Sequence, residues 1–274
     1  MRLSENECVS PSDPLLELPT ARRTLAPAWH TALLILGILG ISIAGKVELA
    51  RGHHGQNRLL TYATTAAMEL VMLGWVALGL RLRRIPFGSL FGAVARGFRN
   101  VVLDLGIACV FWIGSLVVLG TLGLVWTSAE FLETHWRASG HNIGAQAIAP
   151  KNGEALRAVE QLAPSNGTEI VCWVLLCCLA GTIEEAVFRG YLQTQFTAWT
   201  KGAPMWGVVF SALLFGAAHG YQGVRNMVLL AVFGALFSGL AILRRNLRAG
   251  IFAHSWHDLI AGLVLTFLRS HHLL

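Results

Sequence analysis

The amino-acid sequence predicts an all-α protein, a polytopic bundle of about seven to eight transmembrane helices. Of its 274 residues, 54% are apolar and only 13% carry a charge, about half the charged fraction of a soluble domain. Apolar stretches near the ~20 residues that span the hydrocarbon core of a bilayer recur along the chain. So little charge could not cover a soluble globule, and disordered chains have the opposite composition, so the sequence excludes both classes.

Seven apolar segments are the candidate membrane helices. They cover residues 26–45, 59–80, 101–126, 170–188, 205–219, 227–243 and 251–268. The fifth is short for a membrane span, and the fourth can extend through Gln195. Residues 191–199 are a candidate for an eighth membrane-associated piece, so the helix boundaries in this region stay open.

The candidate helices divide the chain into four parts. These are a polar tail at 1–25, N-terminal membrane helices at 26–126, a long polar loop at 127–169 and a C-terminal membrane core at 170–274. Arg22 and Arg23 before the first apolar run would also fit a signal peptide. That run is long and no A-x-A cleavage site follows it, so we expect an uncleaved first transmembrane helix.

Basic residues are concentrated on one side of the predicted membrane. With the N-terminus inside, 13 of the 21 Lys and Arg residues lie on the inner side, as the positive-inside rule requires. The net charge of +6 therefore indicates contact with an anionic lipid bilayer and not with nucleic acid. The five cysteines are an odd number without a C-x-x-C pair, and we interpret them as small apolar side chains.

The C-terminal third places charged residues inside apolar segments. A charge at the bilayer centre costs about 2.5–3.5 kcal/mol even on lenient insertion scales. Glu185 and Arg189 are four residues apart, so on one helix face they would neutralise each other. Glu184 points about 100° away from Glu185 on an α-helix. One carboxylate is therefore predicted to be structural and the other free for chemistry, although all three residues would also serve as an ion network that packs the bundle.

Histidines follow on the next two segments. His219 ends the fifth apolar segment, and His254 and Asp258 are four apart on the seventh, with His257 beside them. A carboxylate in apolar surroundings together with imidazoles suits hydrolysis of an amide by an activated water. The same side chains would also suit a metal-bound water.

Three motifs in this region resemble the CPBP family of intramembrane proteases, which includes the CAAX prenyl endopeptidases and the bacterial Abi-type proteins. They are E-E-x-x-x-R at 184–189, F-x-x-x-H at 215–219 and H-x-x-x-[N/D] at 254–258. The resemblance covers roughly residues 165–270. It implies a catalytic core at 170–274, in a multi-pass protein of a bacterial cytoplasmic membrane with its N-terminus inside.

The resemblance also implies roles for individual side chains. Glu184 would activate the attacking water, and His219 would assist or orient it. His254 would stabilise the oxyanion, with Asp258 as its partner. The residues that would support the site are Glu185, Arg189 and Phe215. A glutamic-type mechanism would require no cofactor, whereas a metallo-type mechanism would hold a divalent metal such as zinc on Glu184, His219 and His254.

The implied substrate is a membrane-anchored protein or peptide, including CAAX-type prenylated ones. This chain has Asp258 where some family members have Asn. Because an ionised Asp cannot donate a hydrogen bond to an oxyanion, we expect Asp258 to orient His254, unless it is protonated or serves a metal.

Two other functions remain open from the sequence. A non-catalytic immunity or scaffold protein would retain the polar cluster only for helix packing. A transporter or proton relay would also place ionisable residues in the membrane; Glu69 and Asp104 favour it, while the lack of an internal repeat disfavours it. For Glu69 itself we expect pairing with an arginine across the bundle, or a position in a cavity.

Overall fold

The computed structural model describes residues 23–51, 57–93, 97–140, 160 and 162–271. Its helices are α1 (Ala28–Arg51), α2 (Arg58–Leu82), α3 (Phe98–Gly140), α4 (Gly167–Glu184), α5 (Gln193–Trp199), α6 (Pro204–Ala218), α7 (Val224–Arg244) and α8 (Arg248–Ser270). A π-helical segment, Glu185–Leu192, joins α4 to α5, and short 3₁₀ turns lie at Phe87–Phe91 and Gly220–Gln222. The described residues contain no strand, so the predicted all-α class is confirmed.

Six spans in the described residues are long and apolar enough to cross a membrane, which confirms an integral membrane helix bundle. The fourth runs without a break over Gly167–Trp199, so residues 191–199 are its last part and not a separate eighth piece. The fifth apolar segment is the shorter helix Pro204–Ala218.

Helix α3 is longer than the sequence analysis predicted. It continues to Gly140, so residues 127–140 are helical where a loop was expected. Threonine hydroxyls satisfy carbonyls one turn back at Thr127 and Thr134, and Trp126 donates to Glu130; the polar residues that favoured a loop therefore make bonds within the helix. Most of the remaining predicted loop, 141–159, and most of the predicted tail, 1–22, lie outside the described residues.

Local sequence signals set several helix ends. The side chains of Asn57 and Asn166 accept hydrogen bonds from backbone N–H groups in the first turns of α2 and α4, which is the usual role of an N-cap. Pro204 occupies the first turn of α6, where its missing N–H is not needed. Arg245 ends α7 in the left-handed conformation.

The N-terminal helices brace the π-helical segment. The hydroxyl of Tyr191 lies 3.2 Å from Nδ1 of His30 and 2.8 Å from the hydroxyl of Thr31. Nε2 of His30 lies 2.9 Å from the carbonyl of Trp75, and the two rings stack. Because a carbonyl only accepts, Nε2 donates, and in the neutral imidazole Nδ1 accepts from Tyr191. His30, Thr31 and Trp75, which belong to no recognised motif, therefore hold in place the π-helical segment that carries Arg189.

A second polar anchor joins α3 to the α7–α8 turn. Asp104 is fully buried and pairs with Arg244 at 3.0 Å and Arg248 at 2.6 Å. Both arginines are partly exposed, and Arg248 also donates to the carbonyl of Ala93. Asp104 is therefore committed to a structural ion pair, which removes one of the two residues that favoured a transporter.

Helices α4 and α8 cross closely at Gly181. A Cβ atom there would lie 2.5 Å from the hydroxyl oxygen of Ser255 and 2.9 Å from its backbone nitrogen. Small residues allow such backbone approach in membranes. The crossing matters for the site because α4 ends at Glu184 and α8 carries His254.

We expect Gly181→Ala to lower the free energy of unfolding by about 1–3 kcal/mol, the usual cost of overpacking. The added methyl group would force the backbone of Ser255 to move away. Unfolding in detergent, followed by circular dichroism, measures it. The matched control is Gly74→Ala, where an added Cβ meets nothing within 4 Å and stability should not fall. Equal unfolding midpoints for both variants would contradict the close crossing.

Candidate active site

A buried carboxylate joins the two helices at the centre of the site. Oε1 of Glu185 lies 2.9 Å from Nη1 of Arg189 and 2.9 Å from Nδ1 of His254. All three residues are at most 3% exposed. The predicted pairing of Glu185 with Arg189 is therefore present, and it includes a third member from α8 that the i,i+4 argument did not foresee.

The guanidinium of Arg189 is enclosed by aromatic rings. It lies 4.4 Å from the ring centroid of Phe215 and 5.3 Å from that of Phe237, within cation–π range. The ring of Phe215 also packs edge-on against Phe188 at 5.0 Å. Phe215, expected as a supporting residue, thus packs directly against the buried cation.

Glu184 approaches His254 from the opposite side of the imidazole. Its Oε2 atom lies 3.6 Å from Nε2 of His254, and Oδ2 of Asp258 lies 3.8 Å from the same nitrogen. Nδ1 is engaged by Glu185. Two adjacent glutamates therefore contact one imidazole at its two nitrogens. The Oε2 atoms of Glu184 and Glu185 are both enclosed and have no hydrogen-bond partner among the described residues. The two carboxylates differ in that Oε1 of Glu185 also pairs with Arg189 and with Nδ1 of His254.

His219 joins this group through an aromatic ring. It ends α6, and its Nδ1 lies 2.9 Å from the carbonyl of Phe215. The Phe215 ring is 4.8 Å from His219 and 5.9 Å from His254, centroid to centroid. Within the described part of the chain, His219 makes no direct hydrogen bond or ion pair with Glu184 or Asp258, so the structure brings it beside the cluster and not into it.

Glu69 of α2 is a neighbour of the cluster that the sequence left unexplained. It interacts electrostatically with Glu184, His254 and Asp258. Its Oε2 atom is enclosed without a hydrogen bond, and no arginine pairs with it among the described residues. The expected arginine partner is therefore not found there. A carboxylate within an apolar segment marks Glu69 as a candidate functional residue, but the sequence alone does not show which helices its side chain faces.

Tyr221 is a second neighbour that the sequence analysis missed. It lies on the 3₁₀ turn two residues after His219, and the two rings are 6.2 Å apart. It interacts electrostatically with Glu184, Asp258 and Glu69. A tyrosine in a short connection carries no sequence signal for such a position.

The metal set considered from the sequence does not converge. No group of three His, Cys, Asp or Glu side chains is arranged to hold a metal ion in the part of the chain that is described. The hydrogen bond from Nδ1 of His254 to Glu185 leaves Nε2 as the nitrogen that could bind a metal, but His219 makes no hydrogen bond or ion pair with Glu184 or His254 among the described residues. The residues as placed do not fit the ligand set Glu184, His219 and His254.

Removing the cation of the buried pair is expected to be costly. Arg189→Met should lower the free energy of unfolding by about 3–5 kcal/mol, because Glu185 then stays buried without its counter-charge. The control Arg51→Met breaks an exposed pair with Glu48 at 3.8 Å and should cost at most about 1 kcal/mol. Unfolding titrations in detergent compare the two, and similar losses would contradict a dominant role for the buried pair.

Comparison with known families agrees with the position of this site. Residues 166–260 match the family model described as Type II CAAX prenyl endopeptidase Rce1-like. The matched segment begins at the N-cap of α4 and includes Glu184, His219, His254 and Asp258. No curated protein and no solved structure matches the chain. This match supports the assignment of residues 166–260 to the CPBP/CAAX protease family, in agreement with the three motifs.

Proposed function

We propose that the protein is an intramembrane endopeptidase that hydrolyses peptide bonds of membrane-anchored proteins by a glutamic-type mechanism. The family match supports a CAAX-type intramembrane endopeptidase in general. The observation that carries the proposal is the contact of His254 with Glu184 and Asp258 on one nitrogen and with Glu185 on the other. A charged cluster of this kind inside apolar helices needs a functional reason to be retained.

Glu184 is the proposed general base. Its enclosed Oε2 atom accepts no hydrogen bond from the described residues, so it is able to take a proton from water. The water oxygen then forms a bond to the scissile carbonyl carbon, and the π electrons move to the carbonyl oxygen. When the tetrahedral intermediate collapses, the C–N bond breaks and Glu184 returns its proton to the leaving amine.

His254 is the proposed electrostatic partner of this step. Glu185 fixes the ring through Nδ1, and Asp258 lies 3.8 Å from Nε2. A carboxylate only accepts hydrogen bonds, so Nδ1 donates to Glu185. Protonated at both nitrogens, His254 would place a positive charge beside the developing oxyanion. Asp258 would then have the role expected for it, which is to orient this cationic ring.

His219 has the hydrogen-bond polarity needed to orient water. Its Nδ1 lies 2.9 Å from the carbonyl of Phe215, so Nδ1 carries the proton. In the neutral imidazole Nε2 is then an acceptor. It has no partner among the described residues, and the side chain is half-buried.

The arrangement of basic residues supports an orientation with the N-terminus inside. Arg23, before α1, donates to the carbonyl of Arg83, after α2. Arg248, at the start of α8, donates to the carbonyl of Ala93. The basic segments therefore meet at one end of the bundle, as expected for the cytoplasmic face of a bacterial membrane.

The proposal predicts that Glu184→Gln abolishes cleavage while the protein still inserts and folds, because Gln is isosteric but cannot accept the proton. Release of peptide from membrane-anchored substrates, compared by analysis of C-terminal ends in membranes, measures it. The control Glu130→Gln alters a carboxylate on α3 that accepts from Trp126 and should leave cleavage unchanged. A scaffold or immunity protein would instead show no functional change with Glu184→Gln.

We also expect Asp258→Asn to reduce kcat by about 100-fold with little change in KM. The same exchange in a Ser-His-Asp triad costs ~10⁴-fold, and the 3.8 Å contact with His254 is looser. The loss reflects the removal of the negative charge beside Nε2 of His254, which favours the protonated ring, while Glu185 still holds Nδ1. Full activity of the variant would show that no negative charge is needed at this position.

A further inference from the structure

The oxyanion of the proposed mechanism can take a second hydrogen-bond donor besides the charged His254, and this inference rests on that proposed function. Removing one oxyanion donor typically costs about 10²–10³-fold in kcat. Asp258 is a carboxylate where related motifs have an amide that can donate. Nδ1 of His254 is already used by Glu185. Among the motif side chains, His254 would therefore supply a positive charge to the carbonyl oxygen, but Asp258 would not donate a hydrogen bond to it.

Tyr221, beside His219, is a candidate for this missing hydrogen-bond donor. Its ring is 6.2 Å from that of His219 and inclined by 31°. On its other side α1 approaches closely, since a Cβ atom on Gly45 would lie 3.5 Å from the Tyr221 side chain. The phenol is thus held between α1 and His219, and its charged neighbours are Glu184, Asp258 and Glu69.

A hydrogen-bond chain sets the direction of the Tyr221 hydroxyl. Nδ2 of Asn226 donates to Oε1 of Gln222 at 3.2 Å, so the amide of Gln222 presents its nitrogen at the other end. That nitrogen donates to the Tyr221 oxygen at 3.1 Å. The hydroxyl oxygen is therefore an acceptor in this bond, and its own proton is not used by any described residue. Chains of this kind polarise the terminal donor.

The phenol of Tyr221 is a donor without any special effect of its surroundings. A tyrosine has an ordinary pKa of about 10, so its hydroxyl keeps its proton near pH 7 and donates it in a hydrogen bond.

We propose that Tyr221 is a catalytic residue whose hydroxyl donates a hydrogen bond to the scissile carbonyl oxygen as it becomes an oxyanion. Gln222 and Asn226 are positioning residues that aim this hydroxyl. The role would be specific to chains in which the position of Asp258 is a carboxylate, because there the donor has to come from elsewhere.

The test uses the full chain in detergent micelles with an internally quenched, farnesylated CAAX peptide as the probe. Tyr221→Phe removes only the hydroxyl. We expect kcat to fall by about 10²–10³-fold with KM within about twofold, and the inhibition constant of a phosphinate analogue of the peptide to rise by a similar factor. Tyr62→Phe is the matched control, because it removes a phenol that bonds the carbonyl of Leu162, and it should leave kcat within about twofold.

The outcomes separate this inference from the proposed function. If Tyr221→Phe keeps kcat within about threefold of the wild type, or raises only KM, while Glu184→Gln is inactive, then the role of Tyr221 is wrong and the endopeptidase proposal stands. If the wild type does not cleave the probe, or Glu184→Gln cleaves like the wild type, both are overturned. Should Tyr221→Phe fail to fold, Gln222→Leu decides: a ~10-fold loss of kcat at constant KM is expected, and unchanged kcat overturns the inference.

Discussion

The structure depends on one buried carboxylate, that of Glu185. Its Oε1 atom contacts both Arg189 and His254 at 2.9 Å, and so joins the π-helical segment to α8 where all three side chains are buried. Without this carboxylate the guanidinium of Arg189 would be an uncompensated charge in apolar surroundings. The aromatic rings of Phe215 and Phe237 cover the guanidinium, so the same contact also fixes where α6 and α7 pack.

The change from α- to π-helical geometry begins at Glu185, the residue that makes this contact. Such segments are rare and often occur at functional sites. Here it allows two neighbouring glutamates to contact one imidazole at different nitrogens, Glu184 at 3.6 Å and Glu185 at 2.9 Å. Glu185 is buried at 1% exposure, whereas Glu184 retains some access. Two chemically identical side chains thereby differ in environment, which is what separates a structural carboxylate from a candidate base.

The N-terminal helices contribute to the site although they carry no motif. His30 and Thr31 hold the Tyr191 hydroxyl, Glu69 adds a carboxylate beside the cluster, and Gly45 faces Tyr221. These contacts place residues from outside the family match at 166–260 beside the candidate site. They also give the N-terminal half a role in a site whose recognised motifs all lie in the C-terminal half.

The class of the molecule and the position of its candidate site along the chain could be predicted from the amino-acid sequence alone. Apolar runs predict membrane helices because the bilayer cannot solvate a bare backbone, and the i,i+4 spacing of Glu185 and Arg189 placed their charges together. Three features became apparent only from the contacts between helices. His254 completes the Glu185–Arg189 pair, Asp104 is an anchor for Arg244 and Arg248, and Glu69 and Tyr221 interact electrostatically with Glu184. The physical reason is that helical spacing reports neighbours within one helix, whereas contacts between helices depend on close packing at positions such as Gly181, which no local pattern specifies.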